Sequence, residues 1–187
     1  MDENTERKRA HRTTLAVWAG EDNAGTWKRS TQVPVAHSVS YGYRDIDHWY
    51  DVAVGEAEGH IYGRNTNPTV AVFEEKIRRL EGGEAATSFS TGMAAISNTL
   101  YALLKPGDRV VSVKDTYGGT NEIFSHFLPR LNVDVALCST TDHEEIEAQV
   151  ANGCQVLYLE TPTNPTLKVI DLERLSAAGH AVGATVV

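Results

Sequence analysis

From residue 85 onward the sequence alternates between short apolar runs and longer stretches in which apolar residues recur every three or four positions. The runs are 85–89, 109–113, 133–138, 155–159 and 183–187. Helical patterns fill the gaps: 92–104, where Met93, Ile96, Leu100, Leu103 and Leu104 share a face, then 120–131, 142–150 and 171–179. Short apolar strands that alternate with helices predict an α/β fold: a mainly parallel sheet with helices on both faces. There are no internal repeats and no low-complexity tracts. Ligands of such sheets bind at the carboxyl ends of the strands. Three unusual loops fall at that rim: Ser90-Thr-Gly92, Lys114-Asp-Thr-Tyr-Gly-Gly-Thr120 and Glu160-Thr-Pro-Thr-Asn-Pro165. The first joins the run 85–89 to a helix start, where unpaired N–H groups and the positive end of the helix dipole suit a phosphate. The same residues are also ordinary turn chemistry.

Before residue 62 the pattern is irregular. A short helix is expected over 13–19, a turn at 22–25, and an edge-like extended segment at 31–36, where Pro34 denies a central strand position. Trp18, Trp27, Tyr41, Tyr43, Trp49 and Tyr50 crowd into this stretch without helical or strand spacing. Such a segment packs either on another subunit or on its own domain. Residues 62–69 form a polar loop that leads into a helix. Asn67 or Thr69 caps it, Val70, Phe73, Ile77 and Leu80 form its apolar stripe, Arg78 and Arg79 occupy its last turn, and Gly82-Gly83 ends it.

Charge and cysteine content narrow the function classes. Acidic side chains outnumber basic ones, 25 to 17, for a formal charge of -8, which is the wrong sign for a nucleic-acid binder. The basic cluster Arg7, Lys8, Arg9, His11 and Arg12 reads as a solvated tail or an anionic docking arm. Cys138 and Cys154 lack metal-type spacing and sit in or beside apolar runs, as buried thiols of a reducing, cytoplasmic setting do. Residues 1–12 lack the apolar core of a signal peptide, and no apolar run is long enough to span a membrane.

Six motifs occur in order: Tyr62-Gly-Arg-Asn-Thr-Asn-Pro-Thr69, Leu80-Glu-Gly-Gly83, Ser90-Thr-Gly-Met-Ala-Ala-Ile96, Pro106-Gly-Asp108, Tyr117-Gly-Gly-Thr120 and Glu160-Thr-Pro-Thr-Asn-Pro165. Through them the chain resembles the pyridoxal 5'-phosphate (PLP) enzymes of cysteine and methionine metabolism. That group contains cystathionine synthases and lyases, homoserine-ester sulfhydrylases and methionine lyases. The resemblance covers most of residues 62–187 and, more loosely, the arm through Thr31 to Tyr43. It implies an incomplete large domain of PLP fold type I over 62–187, preceded by an extended N-terminal arm, 1–61, that contacts a neighbouring subunit.

It also implies residue roles. Gly92 and Met93 would offer backbone N–H groups to the PLP phosphate. Tyr117 would stack on the pyridine ring near the reacting carbons, and Asn164 would approach the ring's phenolic oxygen. Tyr62 and Arg64 would reach the phosphate of the neighbouring subunit's cofactor. Gly119 stands where methionine γ-lyases usually carry cysteine, which leans toward cystathionine synthase, cystathionine lyase or sulfhydrylase.

The family's chemistry needs two further groups, an aspartate on the pyridine nitrogen and the lysine that holds PLP covalently. In relatives both lie beyond the position that matches Val187. Of the lysines present, Lys8, Lys28, Lys76, Lys105, Lys114 and Lys168, Lys114 alone falls on the correct rim, and it is placed for solvent or packing. Lys168 reads as a solvated loop residue. The expectation is therefore the N-terminal subunit of a split enzyme, active as a lyase or transferase once a second polypeptide supplies the missing groups. Its substrates would be homoserine esters or cystathionine-type amino acids, and its assembly tetramer-like. A non-catalytic paralogue that acts as an interaction subunit, and a fragment of an ordinary full-length enzyme, are the alternatives.

Overall fold

The computed structural model describes residues 11–20 and 30–187. The turn expected at 22–25, Trp27, and Arg7, Lys8 and Arg9 of the basic cluster lie outside the described residues. The chain divides into two compact units, Met1–Ser88 and Phe89–Val187.

In the first unit, helix α1 (Arg12–Trp18) packs on helix α3 (Pro68–Glu81). Arg12 donates to the Leu80 carbonyl and the Lys76 ammonium to the Val17 carbonyl. Close approach is possible because Gly20, at φ 80°, has no Cβ. One placed there would lie 2.9 Å from the Val72 carbonyl oxygen. Asn67 caps α3, its side-chain oxygen accepting from the N–H groups of Thr69 and Val70, and Gly82 closes it in the left-handed conformation. The extended segment at 31–36 joins no sheet. Its polar groups go instead to the start of α3: Thr69 donates its hydroxyl to the Pro34 carbonyl and accepts from the Ala36 N–H, and Asn67 donates to the Ala36 carbonyl.

Two expectations fail in this unit. Helix α2 (Ile46–Val54) forms where the sequence reads as irregular. Asp45 caps it by accepting from the His48 N–H, and Gly55 ends it. It buries no residue, yet Ile46, Trp49, Tyr50, Ala53 and Val54 recur at helical spacing, a period that the irregular stretches on either side obscure. The stripe expected on α3 is not interior either: Val70, Phe73 and Ile77 are 42%, 54% and 40% exposed, and Val72 beside α1 is the buried residue.

Glu75 on α3 accepts from both Arg78 and Arg79 at 2.6 Å. The Arg78 hydrogen bond, against the opposing effect of burial and with help from Arg79, holds its carboxyl down at about 2. A depressed acid stabilises the fold fully above its ordinary value of 4.5, and that contribution disappears as pH falls toward 2. We expect thermal melts of the Glu75→Gln variant to lose this part of the acid dependence and to match the parent at the lowest pH.

The second unit is a four-stranded parallel sheet in the order β2-β1-β3-β4, with β1 Arg109–Val113, β2 Asp134–Cys138, β3 Val156–Tyr158 and β4 Thr185–Val186. Helix α4 (Gly92–Leu103) precedes β1. Helix α5 starts at Gly118–Glu122, widens into a π-helical turn at Ile123–Phe127 and closes at Leu128–Arg130. Pro129 has no N–H for the Ser125 carbonyl and its ring crowds that group, which accounts for the widening. Helices α6 (His143–Ala151) and α7 (Leu172–Ala181) follow β2 and β3.

Alternation along the strands divides the core. Val110, Val156 and Tyr158 meet Leu100, Ile123, Phe124 and Leu128 of α4 and α5. Val111, Val113, Cys138 and Leu157 meet Ile146, Val150 and Leu175 of α6 and α7. Helices thus cover both faces, as the sequence requires. At the rim where the strands begin, Arg109 bonds Asp134 at 2.8 Å and the carbonyls of Gln149 and Gly153, locking β1 to its surroundings. Both cysteines are buried and unpaired. Burial, reinforced by Glu145, raises the Cys138 thiol to about 11, so it stays protonated.

The expected strand at 85–89 does not form. A strand exists only as a member of a ladder, and the described residues give this segment no neighbouring strand. Glu74 takes the Ser88 N–H and hydroxyl instead, at 2.7 and 2.9 Å. Among the described residues no helix is long and apolar enough to cross a membrane, and no group of three or more His, Cys, Asp or Glu could hold a metal.

Candidate functional site

A cleft of about 530 Å³ opens at the carboxyl rim of the sheet, lined by Thr91, Gly92, Met93, Ile96, Tyr117, Glu160 and Asn164. Three elements build it. The first is the start of α4. Thr91 caps that helix by accepting from the Ala94 N–H, and its carbonyl accepts from the Ala95 N–H. The N–H groups of Gly92 and Met93 therefore remain open at the positive end of the helix dipole. A Cβ on Gly92 would meet nothing within 4 Å, so the space in front of the helix is clear.

The second element is the loop after β1, which ends in Tyr117, the residue that starts α5. Tyr117 is 52% exposed and makes no side-chain cap. Its N–H is held from outside the helix, by both carboxylate oxygens of Glu160 at 3.0 and 3.2 Å. Glu160 thus acts from the end of β3 as the acid of a capping box would act from within a helix. The third element is the loop after β3, which carries Asn164. Its peptide bonds Thr161-Pro162 and Asn164-Pro165 are both cis.

The structure therefore brings Gly92, Met93, Tyr117 and Asn164 to one cleft. Glu160 joins them: the sequence places its motif on the ligand rim but assigns this residue no role. Its one available signal was the position, directly after a buried strand on the ligand rim. Tyr62 and Arg64 belong to the first unit. There the Arg64 guanidinium lies 4.8 Å from the Tyr62 ring centre, and Tyr62 pairs across an isolated bridge with Ser40. Lys168 is not solvated as expected: its ammonium bonds Asp115 at 2.6 Å.

The donor set suits PLP. Two free N–H groups at a helix start match a phosphate, a half-exposed aromatic face matches a planar ring, and the volume lies within the usual ligand range. Gly119 is part of this fit. A Cβ there would lie 2.8 Å from the Met93 sulfur and 3.1 Å from Cε1 of the Tyr117 ring. We expect Gly119→Ala to displace the flexible Met93 thioether and turn the Tyr117 ring at a cost of about 1 kcal/mol. A shifted Met93 methyl resonance, with the melting temperature lowered by only a few degrees, is the readout.

The family model described as "Cys/Met metabolism PLP-dependent enzyme" matches residues 13–187. An L-methionine gamma-lyase of Fusobacterium nucleatum is 46% identical over 132 residues, 71% of this chain and 33% of that protein. The homocysteine synthase of Schizosaccharomyces pombe is 37% identical over 174 residues, 92% of this chain and 40% of that protein. The crystal structure of metB from Corynebacterium glutamicum superposes with a TM-score of 0.85 at 27% identity, over 96% of this chain and 45% of that one. The chain thus spans about a third to less than half the length of these relatives. A match over nearly all of its residues places the chain in the Cys/Met metabolism family of PLP-dependent enzymes.

Proposed function

We propose that this chain provides the phosphate end and one ring face of the PLP site in an enzyme of sulfur amino-acid metabolism. The convergence of the Gly92 and Met93 N–H groups, the Tyr117 ring and Asn164 on one cleft is the observation that supports this reading most. In it, the Gly92 and Met93 N–H groups donate to the phosphate. Tyr117 lies against the ring, excludes water from that face and stands near the reacting carbons. Asn164 donates its amide N–H to the phenolic oxygen. PLP bound there supplies an electron sink for charge that develops beside the substrate amine. Glu160 keeps Tyr117 in place through its N–H.

Tyr62 and Arg64 serve a neighbouring subunit's phosphate, carried there by the arm 1–61, and an Arg fork is a natural partner for that group. The covalent lysine and the carboxylate on the ring nitrogen come from outside these 187 residues, on a second polypeptide or on a continuation of the same one. Among the described residues no lysine lines the cleft. The reaction class is γ-elimination or γ-replacement on homoserine-ester or cystathionine-type amino acids, in keeping with the gamma-lyase and synthase relatives.

Titration of the chain with PLP, and with pyridoxal lacking the phosphate, tests the site. Saturable binding of PLP that inorganic phosphate competes away, and that Tyr117→Ala weakens, is expected. Equal binding of pyridoxal, or no saturation, would overturn the assignment. Borohydride reduction of the native complex followed by mass spectrometry tests the source of the lysine. The PLP-lysine mass is expected on residues outside these 187, and finding it on this chain's own Lys114 or Lys168 would refute the division proposed here.

A further inference from the structure

In the sheet β1 lies between β2 and β3, and the loops that follow these three strands are joined by one carboxylate. Oδ2 of Asp115, after β1, accepts from the Lys168 ammonium of the loop after β3 at 2.6 Å and from the Thr140 hydroxyl, after β2, at 2.7 Å. The Asp115 N–H donates in turn to that hydroxyl at 3.3 Å. Thr140 is 1% exposed, so the knot has a buried foot. Lys168 and Thr140 together hold the Asp115 carboxyl below the usual carboxylate range.

Asp115 is two residues from Tyr117, and Lys168 closes the loop that carries Asn164. The Lys168 N–H donates to the Thr163 hydroxyl at 3.0 Å, and the Lys168 carbonyl accepts from the Thr163 N–H at 3.0 Å. Thr163 is fully buried, which makes that loop a closed and firmly seated ring. An isolated, partly exposed ion pair is worth little. This one differs because each partner sits beside a cleft residue and both are anchored through buried threonines.

We propose that Asp115, Thr140 and Lys168 are positioning residues that latch the Tyr117 loop to the Asn164 loop and so set the width of the cleft between them. The inference rests on the cleft being the cofactor site proposed above. None of the three residues lines the cleft. Their effect on a ligand would pass through Tyr117 and Asn164.

The test compares the parent chain with Asp115→Asn, Lys168→Met, Thr140→Val, Lys168→Arg and the Asp115→Asn/Lys168→Met double variant. PLP titration gives affinity, and circular dichroism of the bound cofactor reports its orientation against Tyr117. Amide hydrogen exchange of the ligand-free chain follows residues 115–120 and 161–168. We expect each single loss variant to bind PLP roughly five- to tenfold more weakly with an altered cofactor dichroism, the double variant to lose no more than the singles, and Lys168→Arg to restore both. Exchange should quicken in both loops whichever one carries the substitution.

If exchange quickens only in the substituted loop, or if the losses add in the double variant, the latch is refuted. If the parent itself fails to bind PLP, the cofactor reading falls. The latch is then decided by exchange alone, on the same criterion. Should Asp115→Asn not fold, Lys168→Met against Lys168→Arg decides it.

Discussion

Gly92→Asp is expected to leave the fold intact and to reduce PLP affinity roughly a hundredfold or more. The new side chain meets open space, since nothing lies within 4 Å of a Cβ at this position. A carboxylate in the first turn of a helix is favourable by about 0.3–1 kcal/mol through the helix dipole, so thermal stability should hold or rise slightly. The same carboxylate would stand where the phosphate is proposed to sit. Two like charges about 4 Å apart repel by about 4 kcal/mol at the effective dielectric of a protein surface. Gly92→Ala separates the two effects: it offers a methyl without charge and should cost far less affinity. Titration of both variants alongside thermal melts is the measurement. If Gly92→Asp binds PLP like the parent, the phosphate does not sit at the start of α4.

The largest loss of stability is expected from Phe124→Ala, about 3–5 kcal/mol in the unfolding of the second unit. Phe124 is fully buried at the π-helical turn of α5, its ring edge-on to Tyr158 with centres 5.2 Å apart. Truncation would remove that pair and leave a cavity between α5 and the sheet, below the helix that Tyr117 starts. Phe124→Leu keeps most of the volume and should cost much less. Urea unfolding of the two variants gives the comparison. Losses of equal size would mean that the aromatic pair, rather than the volume, holds this layer.

These variants separate two jobs that the second unit divides by place. The rim where the strands begin is tied down by Arg109 for stability, whereas the rim where they end carries the cleft. Substitution at the first should lower unfolding energy without touching ligand geometry. Substitution of Gly119 or Lys168 should act mainly on ligand geometry, with a small effect on unfolding energy. The depressed Glu75 carboxyl belongs to neither rim. It concerns the acid stability of α3 in the first unit.

Read as letters, the chain already determined its layers. Strands β1 to β4 and helices α4 to α7 fall close to where apolar spacing placed them, because burial on a sheet or helix face imposes a period on sequence. Caps are local contacts as well: Asn67, Thr91, Asp142 and Asp171 each start a helix with their own side chain, a contact that spans three residues or fewer. The family followed from ordered motifs on the ligand rim. Tertiary structure decided the rest. The run 85–89 has the composition of a strand, yet strand identity depends on a partner backbone, which no local pattern encodes. Helix α2 carries helical spacing in Ile46, Trp49, Tyr50, Ala53 and Val54, but buries none of them, so its apolar residues mark no core. Glu160 and Lys168 looked like the ends of loops. One is a cap for a helix 43 positions away in sequence and the other an ion-pair partner 53 positions away, contacts that exist only once the strands lie side by side.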